Sequence, residues 1–303
     1  MSTASGQRIS IVGGSGNVGA ATAFALIANG VDAEVLLVDL SDQAVKDQAL
    51  DIGDASFELP GTCRQGSYRE AGKSDIIILT AGAPQKPNEP RSDLIDRNYM
   101  IIKSIMDSME PLKPTARILM VSNPVDVMTD LAQKVSGLPR DQVIGSGTCL
   151  DSYRLCNELS TITGVSAESI HAYILGEHGE HQFPAWSAAN IGGRPLLGFP
   201  KMRGVDLDSL YDKVQSKAYE IIDAKGSPYY GIGACVATLA EALLNNAGQV
   251  FPVTNYVEKC GCYISWPAAI GQDGVEQSID LRLDGTETAK LESAINAIKS
   301  AYS

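Results

Sequence analysis

Arg8-Ile9-Ser10-Ile11-Val12-Gly13-Gly14-Ser15-Gly16-Asn17-Val18-Gly19 is the stretch on which the reading of this chain turns. An apolar run of strand length enters a turn built on glycines, and an Ala- and Leu-rich helical pattern over residues 20–29 follows it. The next run, Glu34-Val35-Leu36-Leu37-Val38, ends on Asp39, about twenty residues past the last glycine. A Gly-x-Gly-x-x-Gly string alone is weak, but strand, glycine turn, helix, strand and terminal acid in this order describe a dinucleotide site. Gly13, Gly14, Gly16, Asn17, Val18 and Gly19 form the segment expected at a pyrophosphate, where glycines let backbone N–H groups of a helix N-terminus come close. Asp39 can accept hydrogen bonds from an adenosine ribose. It would repel a 2′-phosphate, and Leu40, Ser41 and Asp42 offer no cation in compensation, so NAD is expected rather than NADP.

Working outward, further apolar strands are expected at residues 75–80, 116–121 and 142–144, with a faint one near residues 63–66. Helical patterns separate them: residues 43–57, and residues 92–109 with Leu94, Ile95, Ile101, Ile102, Ile105, Met106 and Met109 largely on one face. Strands alternating with helices imply an α/β fold, a Rossmann-type parallel sheet covered on both faces. The second half reads differently. Residues 207–222 and 234–247, the latter stopped by Gly248, look like amphipathic helices, and residues 291–298 like a C-terminal one. Residues 250–257, 260–266 and the alternating Ile279, Leu281 and Leu283 suggest antiparallel strands. The expectation is an NAD-binding domain over residues 1–145 and an α+β substrate domain over residues 146–303, with the site in the cleft between them.

A length of 303 residues suits two such domains, and 44% hydrophobic content supplies their cores. The formal net charge of −12 argues against nucleic acid or an anionic membrane as main partner, though not against a small anionic substrate in a locally positive site. Residues 1–7 are polar, without the apolar core of a signal peptide, and no run reaches membrane-span length, so a cytoplasmic protein is expected. The six cysteines are scattered without a paired ligand pattern, which indicates neither a disulfide framework nor zinc. His178 and His181 have a spacing that could serve a metal on a helix. Gly179 interrupts such a helix and no further ligand completes the set, so no metal site is expected.

Only three histidines occur in the chain, and one lies in Gly176-Glu177-His178-Gly179, downstream of Asp151-Ser152-Tyr153-Arg154. Histidine is the side chain whose unperturbed pKa lies nearest neutrality, so His178, with an Asp and an Arg from another element, can form a proton-transfer centre beside an anion clamp. A lone loop histidine is more often a surface residue; the cofactor motif upstream is what tips the balance.

With these elements placed, the chain resembles the L-lactate and malate dehydrogenase family of 2-hydroxy acid dehydrogenases over nearly its whole length. The resemblance is carried by Gly13 to Gly19, Thr80-Ala81-Gly82-Ala83-Pro84, Ser122-Asn123-Pro124-Val125-Asp126, Leu150-Asp151-Ser152-Tyr153-Arg154 and Leu175-Gly176-Glu177-His178-Gly179, in the family's order. The stretch from Gly176 to Ser187, with Gln182, Phe183, Ala185 and Trp186, is also similar to the 2-hydroxyisocaproate dehydrogenase branch. The resemblance implies that His178 exchanges a proton with the substrate oxygen, that Asp151 orients its imidazole, and that Arg154 holds the substrate carboxylate through a two-pronged contact. It implies that Arg91, after the Pro- and Gly-punctuated stretch from Gly82 to Pro90, enters on loop closure to stabilise charge on the carbonyl oxygen. It further implies that Asn123 hydrogen-bonds at the centre and that Ala81, Gly82, Asn98, Val121, Asn123 and Ile232 line the cofactor site.

Specificity falls to two positions in the same comparison. Gln85 occupies a place that is usually arginine in malate dehydrogenases and glutamine in many lactate dehydrogenases, so a second substrate carboxylate would go unpaired. Pro228 stands where lactate dehydrogenases commonly have threonine, which permits an aliphatic substrate chain longer than methyl. The expected activity is NAD-dependent L-2-hydroxy acid dehydrogenase, foremost L-lactate dehydrogenase acting on a small 2-oxo or 2-hydroxy acid, in a homodimer or homotetramer. Malate dehydrogenase is the nearest alternative. A non-catalytic NAD-binding sensor and an NAD-using glycoside hydrolase are alternatives of other classes; the last would need a metal-binding Cys and His set that the chain lacks.

Overall fold

The computed structural model describes residues 6–83 and 91–301. Six strands of the first half, β1 (Arg8–Val12), β2 (Glu34–Val38), β3 (Thr62–Gln65), β4 (Ile76–Leu79), β5 (Arg117–Met120) and β6 (Val143–Gly145), lie parallel in the order β3-β2-β1-β4-β5-β6. This is the doubly wound order of a Rossmann sheet. Its helices are α1 (Asn17–Ala28), α2 (Asp42–Asp54), α3 (Tyr68–Ala71), α4 (Arg91–Met109) and α5 (Val125–Ser136). The strands inside the edge strand β3 are largely apolar on both sides because both faces are covered. Along β4, Ile76 and Ile78 join the core beneath α1, whereas Ile77 and Leu79 join the one beneath α4 and α5.

The second half opens with α6 (Cys149–Thr163). Short strands follow: β7 (Ile170–His171), β8 (Ile174–Gly176), β9 (Gln182–Pro184), β10 (Asn190–Ile191) and β11 (Arg194–Pro195). Then come α7 (Leu207–Lys225), α8 (Tyr230–Leu244), β12 (Gln249–Val257), β13 (Cys262–Gly271), β14 (Gly274–Ser278) and α9 (Gly285–Ser300). The long hairpin β12–β13 does not form a separate sheet. β12 pairs antiparallel with β6, β13 carries β8 and β14, and β9 lies beyond β8, so one eleven-stranded sheet runs through both halves. A three-stranded sheet, β11-β10-β7, stands apart beside α6 and α7. Among the described residues no helix is long and apolar enough to cross a membrane.

The α/β class and its Rossmann first half agree with the sequence reading, and three local readings need correction. Ile279, Leu281 and Leu283 alternate but form no strand. The last antiparallel strand is β14, just before them, while Leu281 and Leu283 pack on the core under α9 and the Ile279 carbonyl accepts the Trp266 indole N–H at 2.7 Å. Alternation there reflects one-sided packing of an extended segment. The strand expected over residues 260–266 begins two residues later, because Cys260 and Gly261 close the turn onto the Val257 carbonyl. α8 begins at Tyr230 and ends at Leu244, before Gly248. The short strands β7 to β11 and α6 escaped the sequence reading altogether.

The glycine turn shows why the opening motif has its composition. Gly13 sits at φ +92°, and a Cβ there would lie 2.6 Å from the Ala81 nitrogen; a Cβ on Gly19 would collide with the Gly13 carbonyl oxygen. Gly19→Ala is therefore expected to lower stability by roughly 1–3 kcal/mol through overpacking, read as a drop in Tm, and to weaken dinucleotide binding in a fluorescence titration.

Candidate active site

β1 delivers the chain to the glycine turn, and α1 starts at Asn17 with Gly16 as its cap and no side chain on its first N–H groups. Those donors are available to an anion. A cleft of about 740 Å³ lies alongside, lined among others by Gly13, Gly16, Asp39, Ala81, Gly82 and Arg97. Asp39, at the end of β2, is already fixed. Its Oδ2 accepts the Ser15 hydroxyl at 2.6 Å and the Ser15 N–H at 3.2 Å, and its Oδ1 accepts the Leu40 N–H at 2.8 Å. A cradle that any Cβ would fill, an uncapped helix start and an acid at the cleft wall fit a dinucleotide with a free ribose diol.

Asn98, buried on α4, uses its whole amide within the protein. Its Oδ1 accepts the Ala83 N–H at 2.8 Å, while Nδ2 donates to the Asn123 carbonyl at 2.8 Å and to the Ala83 carbonyl at 3.4 Å. It thus joins the end of the segment after β4 to the turn after β5. Val121 and Ile232, with Leu150, are half-buried against the same core, and Gly82 packs over Ser122.

The second cluster is built on α6 and β8. The Thr148 hydroxyl donates to the Ile174 carbonyl at 2.5 Å and the Ile174 N–H donates to Ser152 Oγ at 2.9 Å, which pins the first turns of α6 to the strand leading to His178. Asp151 and Arg154, three apart, share one face of α6. Asp151 Oδ1 accepts Arg154 Nη1 at 3.0 Å, and its Oδ2 lies 3.2 Å from His178 Nδ1, in contact but off the line of a hydrogen bond. Arg154 and Asp151 are nearly buried, with 11% and 6% of their side chains exposed, whereas His178 is 32% exposed and reachable. Burial pushes the His178 pKa down, but the Asp151 carboxylate, with Asp126 and Glu177 behind it, outweighs that and leaves it above the ordinary histidine value. Burial raises the Asp151 carboxyl, and His178 and Arg154 more than reverse this, so it stays ionised.

The structure brings His178, Asp151 and Arg154 together. Asn123 follows β5 and precedes α5, whose Asp126 accepts the His178 backbone N–H at 2.7 Å. Pro228 is half-buried between Gly226, which ends α7, and Tyr230, which starts α8. Gln85 and the side chain of Arg91 lie outside the described residues. Asp126 closes the Ser122 to Asp126 motif, and nothing local in the sequence points to a role for it. Its partners Thr254 and Ser265 carry no local signal, because only the pairing of β12 with β13 brings them there.

The profile of the lactate/malate dehydrogenase NAD-binding domain matches residues 7–145, and that of the lactate/malate dehydrogenase alpha/beta C-terminal domain matches residues 148–303. The chain belongs to the lactate/malate dehydrogenase family. Similar proteins include L-lactate dehydrogenase A of Rhizopus oryzae, 45% identical over 97% of this chain and 92% of that one. L-lactate dehydrogenase 1 of Lactobacillus acidophilus is 37% identical over 95% and 92% of the respective chains. Among solved structures, a minor L-lactate dehydrogenase from Enterococcus mundtii superposes with a TM-score of 0.92 at 34% identity, covering 98% of this chain and 97% of its own. A lactate dehydrogenase from a Medee basin deep-sea metagenome library gives 0.93 at 33% identity, covering 98% of each. As a family member the protein is an NAD-dependent oxidoreductase acting on a 2-hydroxy acid, and NAD is its cofactor.

A histidine that gives its proton to a 2-oxo acid must be protonated for reduction, and this is the role the resemblance implies for His178. With the pKa raised, that form persists below the raised value and is lost as pH climbs through it; oxidation, which needs the neutral ring, shows the opposite slope. Asp151→Asn removes the larger part of the raising effect. The alkaline limb of kcat/KM for reduction should move toward acid, with a loss of roughly 10–10²-fold at pH 7, measured as pH profiles of both directions.

Proposed function

We propose that this protein is an L-lactate dehydrogenase that interconverts pyruvate and L-lactate, with residues 1–145 as the NAD domain and residues 146–303 as the substrate domain. One observation carries the reading: the Asp151 carboxylate contacts His178 with one oxygen and Arg154 with the other. A single anion thereby poises a proton donor and a carboxylate-binding guanidinium at one mouth. Bound NADH supplies the hydride to C2 of the 2-oxo acid. Arg154 keeps Nη2 for the substrate carboxylate while Nη1 is anchored, which fixes C2 in reach. His178 gives its proton to the C2 oxygen during reduction and recovers it during oxidation, with Asp151 stabilising the charged ring. Asn123 donates a further hydrogen bond at that oxygen, and Arg91 stabilises its developing charge. Gly13 to Gly19 take the pyrophosphate, Asp39 the ribose, and Ala81, Gly82, Val121 and Ile232 border the remainder. Asn98 serves by holding Ala83 and Asn123.

The other parts of the reading are a cytoplasmic setting and a homodimer or homotetramer. The latter is supported by large apolar side chains left on the surface, among them Phe57 at 83% and Tyr230 at 69% exposure.

His178→Asn should retain NADH binding and lose roughly 10²–10⁴-fold in kcat. Near-normal turnover with pyruvate would sink the assignment. Gln85 decides between one and two substrate carboxylates. Gln85→Arg gives a distal carboxylate a charge-assisted partner and, with pyruvate, encloses an unpaired cation, so the oxaloacetate-to-pyruvate ratio of kcat/KM should rise by about 10²-fold. An unchanged ratio would remove Gln85 as the discriminating residue.

A further inference from the structure

A row of four residues crosses the sheet where the two halves meet: Gly145 on β6 pairs with Thr254 on β12, Thr254 with Ser265 on β13, and Ser265 with Gly176 on β8. Over this row lies the carboxylate of Asp126, from the first turn of α5 and only 2% exposed. Its Oδ1 accepts the hydroxyls of Thr254 at 2.7 Å and Ser265 at 3.1 Å, and its Oδ2 accepts the backbone N–H of His178 at 2.7 Å. Three donors from three elements of the second half thus converge on one acid of the first.

A neutral amide could make much of the same network. An Asn side chain would present its oxygen to the His178 N–H and its NH₂ to two hydroxyls, both able to turn round and accept. Burying a full charge instead is costly, so the charge itself calls for a role. The charged groups acting on His178 are Asp151 from α6, which carries Arg154 on its other oxygen, Asp126 from α5, and Glu177 from its own turn, where Glu177 Oε2 already accepts the His181 N–H at 3.3 Å. Of these, Asp126 alone is hydrogen-bonded to the His178 main chain while also joined to the turn that carries Asn123.

We propose that Asp126 is a positioning residue for proton transfer: its buried carboxylate fixes the His178 main chain relative to Asn123 and adds a second negative charge that favours the protonated imidazole. The proposal rests on His178 as proton donor. It assigns Asp151 the ring and Asp126 the backbone, so that the acid stays in register with Asn123 on the opposite half. Burial holds the Asp126 carboxyl above the ordinary carboxylate value although the Thr254 hydroxyl and the His178 N–H pull it down, so the charge depends on those donors being in place.

The test is Asp126→Asn in the full-length holoenzyme, with the pH dependence of kcat/KM for pyruvate reduction at saturating NADH. Alongside it, the imidazole is titrated by NMR in histidine-labelled protein. Only three histidines are present, and the His178 resonance is the one lost in His178→Asn. The midpoint should move toward acid by about half a pH unit or more, which lowers kcat/KM on the alkaline limb about threefold, with KM for NADH unchanged. A purely structural bridge would leave the midpoint where it was, and that result overturns the proposal. Should Asp126→Asn not fold, Thr254→Val removes one donor from the carboxylate while leaving the His178 contact. A smaller shift in the same direction is then expected, and no shift is again fatal. Full turnover in His178→Asn would defeat the proton-donor reading itself, whereas an inactive His178→Asn beside an unshifted Asp126→Asn defeats only the part given to Asp126.

Discussion

The pairing of β6 with β12 is the constraint on which the rest of the molecule depends. β6 is only three residues long, yet it ends the parallel sheet and begins the antiparallel one. At Gly145 the junction leaves no room for a side chain. A Cβ on Gly145 would strike Thr129 Oγ1 and come within 2.9 Å of the Thr254 Cβ. With glycine there, β12 lies close enough for its Thr254 hydroxyl to reach Asp126 beneath α5. Register then does the rest, since a one-residue slip of β12 would turn Thr254 to the other face. Because β8 is paired to the same hairpin, the position of His178 follows from a seam two strands away.

That seam places charges that the protein as a whole does not favour. The chain is strongly acidic, with a formal net charge of −12, and its substrate is an anion. The local balance differs from the global one because the two acids nearest His178 are engaged: Asp151 with His178 and Arg154, Asp126 with three donors. Acids held in this way stabilise neighbouring cations without presenting free negative charge to the mouth of the site. Under the proposed function a protonated imidazole and a guanidinium then face the substrate, and their effect dominates over the few ångströms that matter while distant surface acids are screened.

How much of this was legible in the sequence depends on how far apart the cooperating residues lie in the chain. The Rossmann half was legible because its signals are local: apolar runs buried on both faces, glycines where backbone must touch backbone, and an acid at the end of β2. Asp151 and Arg154 were also legible as a pair, three residues apart on what proves to be one helix face. Ile279, Leu281 and Leu283 misled because alternation records which side of a segment is buried, not whether a neighbour pairs with it. The short strands β7 to β11 are each two or three residues long, below the span over which periodicity can be seen. Thr254 and Ser265 were invisible for a different reason. A hydroxyl on a strand is ordinary, and only the tertiary register sets it against a buried carboxylate from residue 126.

Asn98 illustrates how the two binding regions become one. The resemblance assigned it to the cofactor, and the structure gives it backbone partners at Ala83 and Asn123. Ala83 borders the dinucleotide cleft, and Asn123 heads the turn that reaches His178 through Asp126. A single amide and a single carboxylate therefore connect the cleft wall to His178 without a flexible side chain in between. Reaction geometry tolerates little slack, and a donor displaced by about 1 Å can cost two orders of magnitude in rate. Fixing Asn123 and His178 through buried backbone contacts confines that slack before substrate arrives. Under the proposed function, selection among substrates then falls to Pro228 and Gln85.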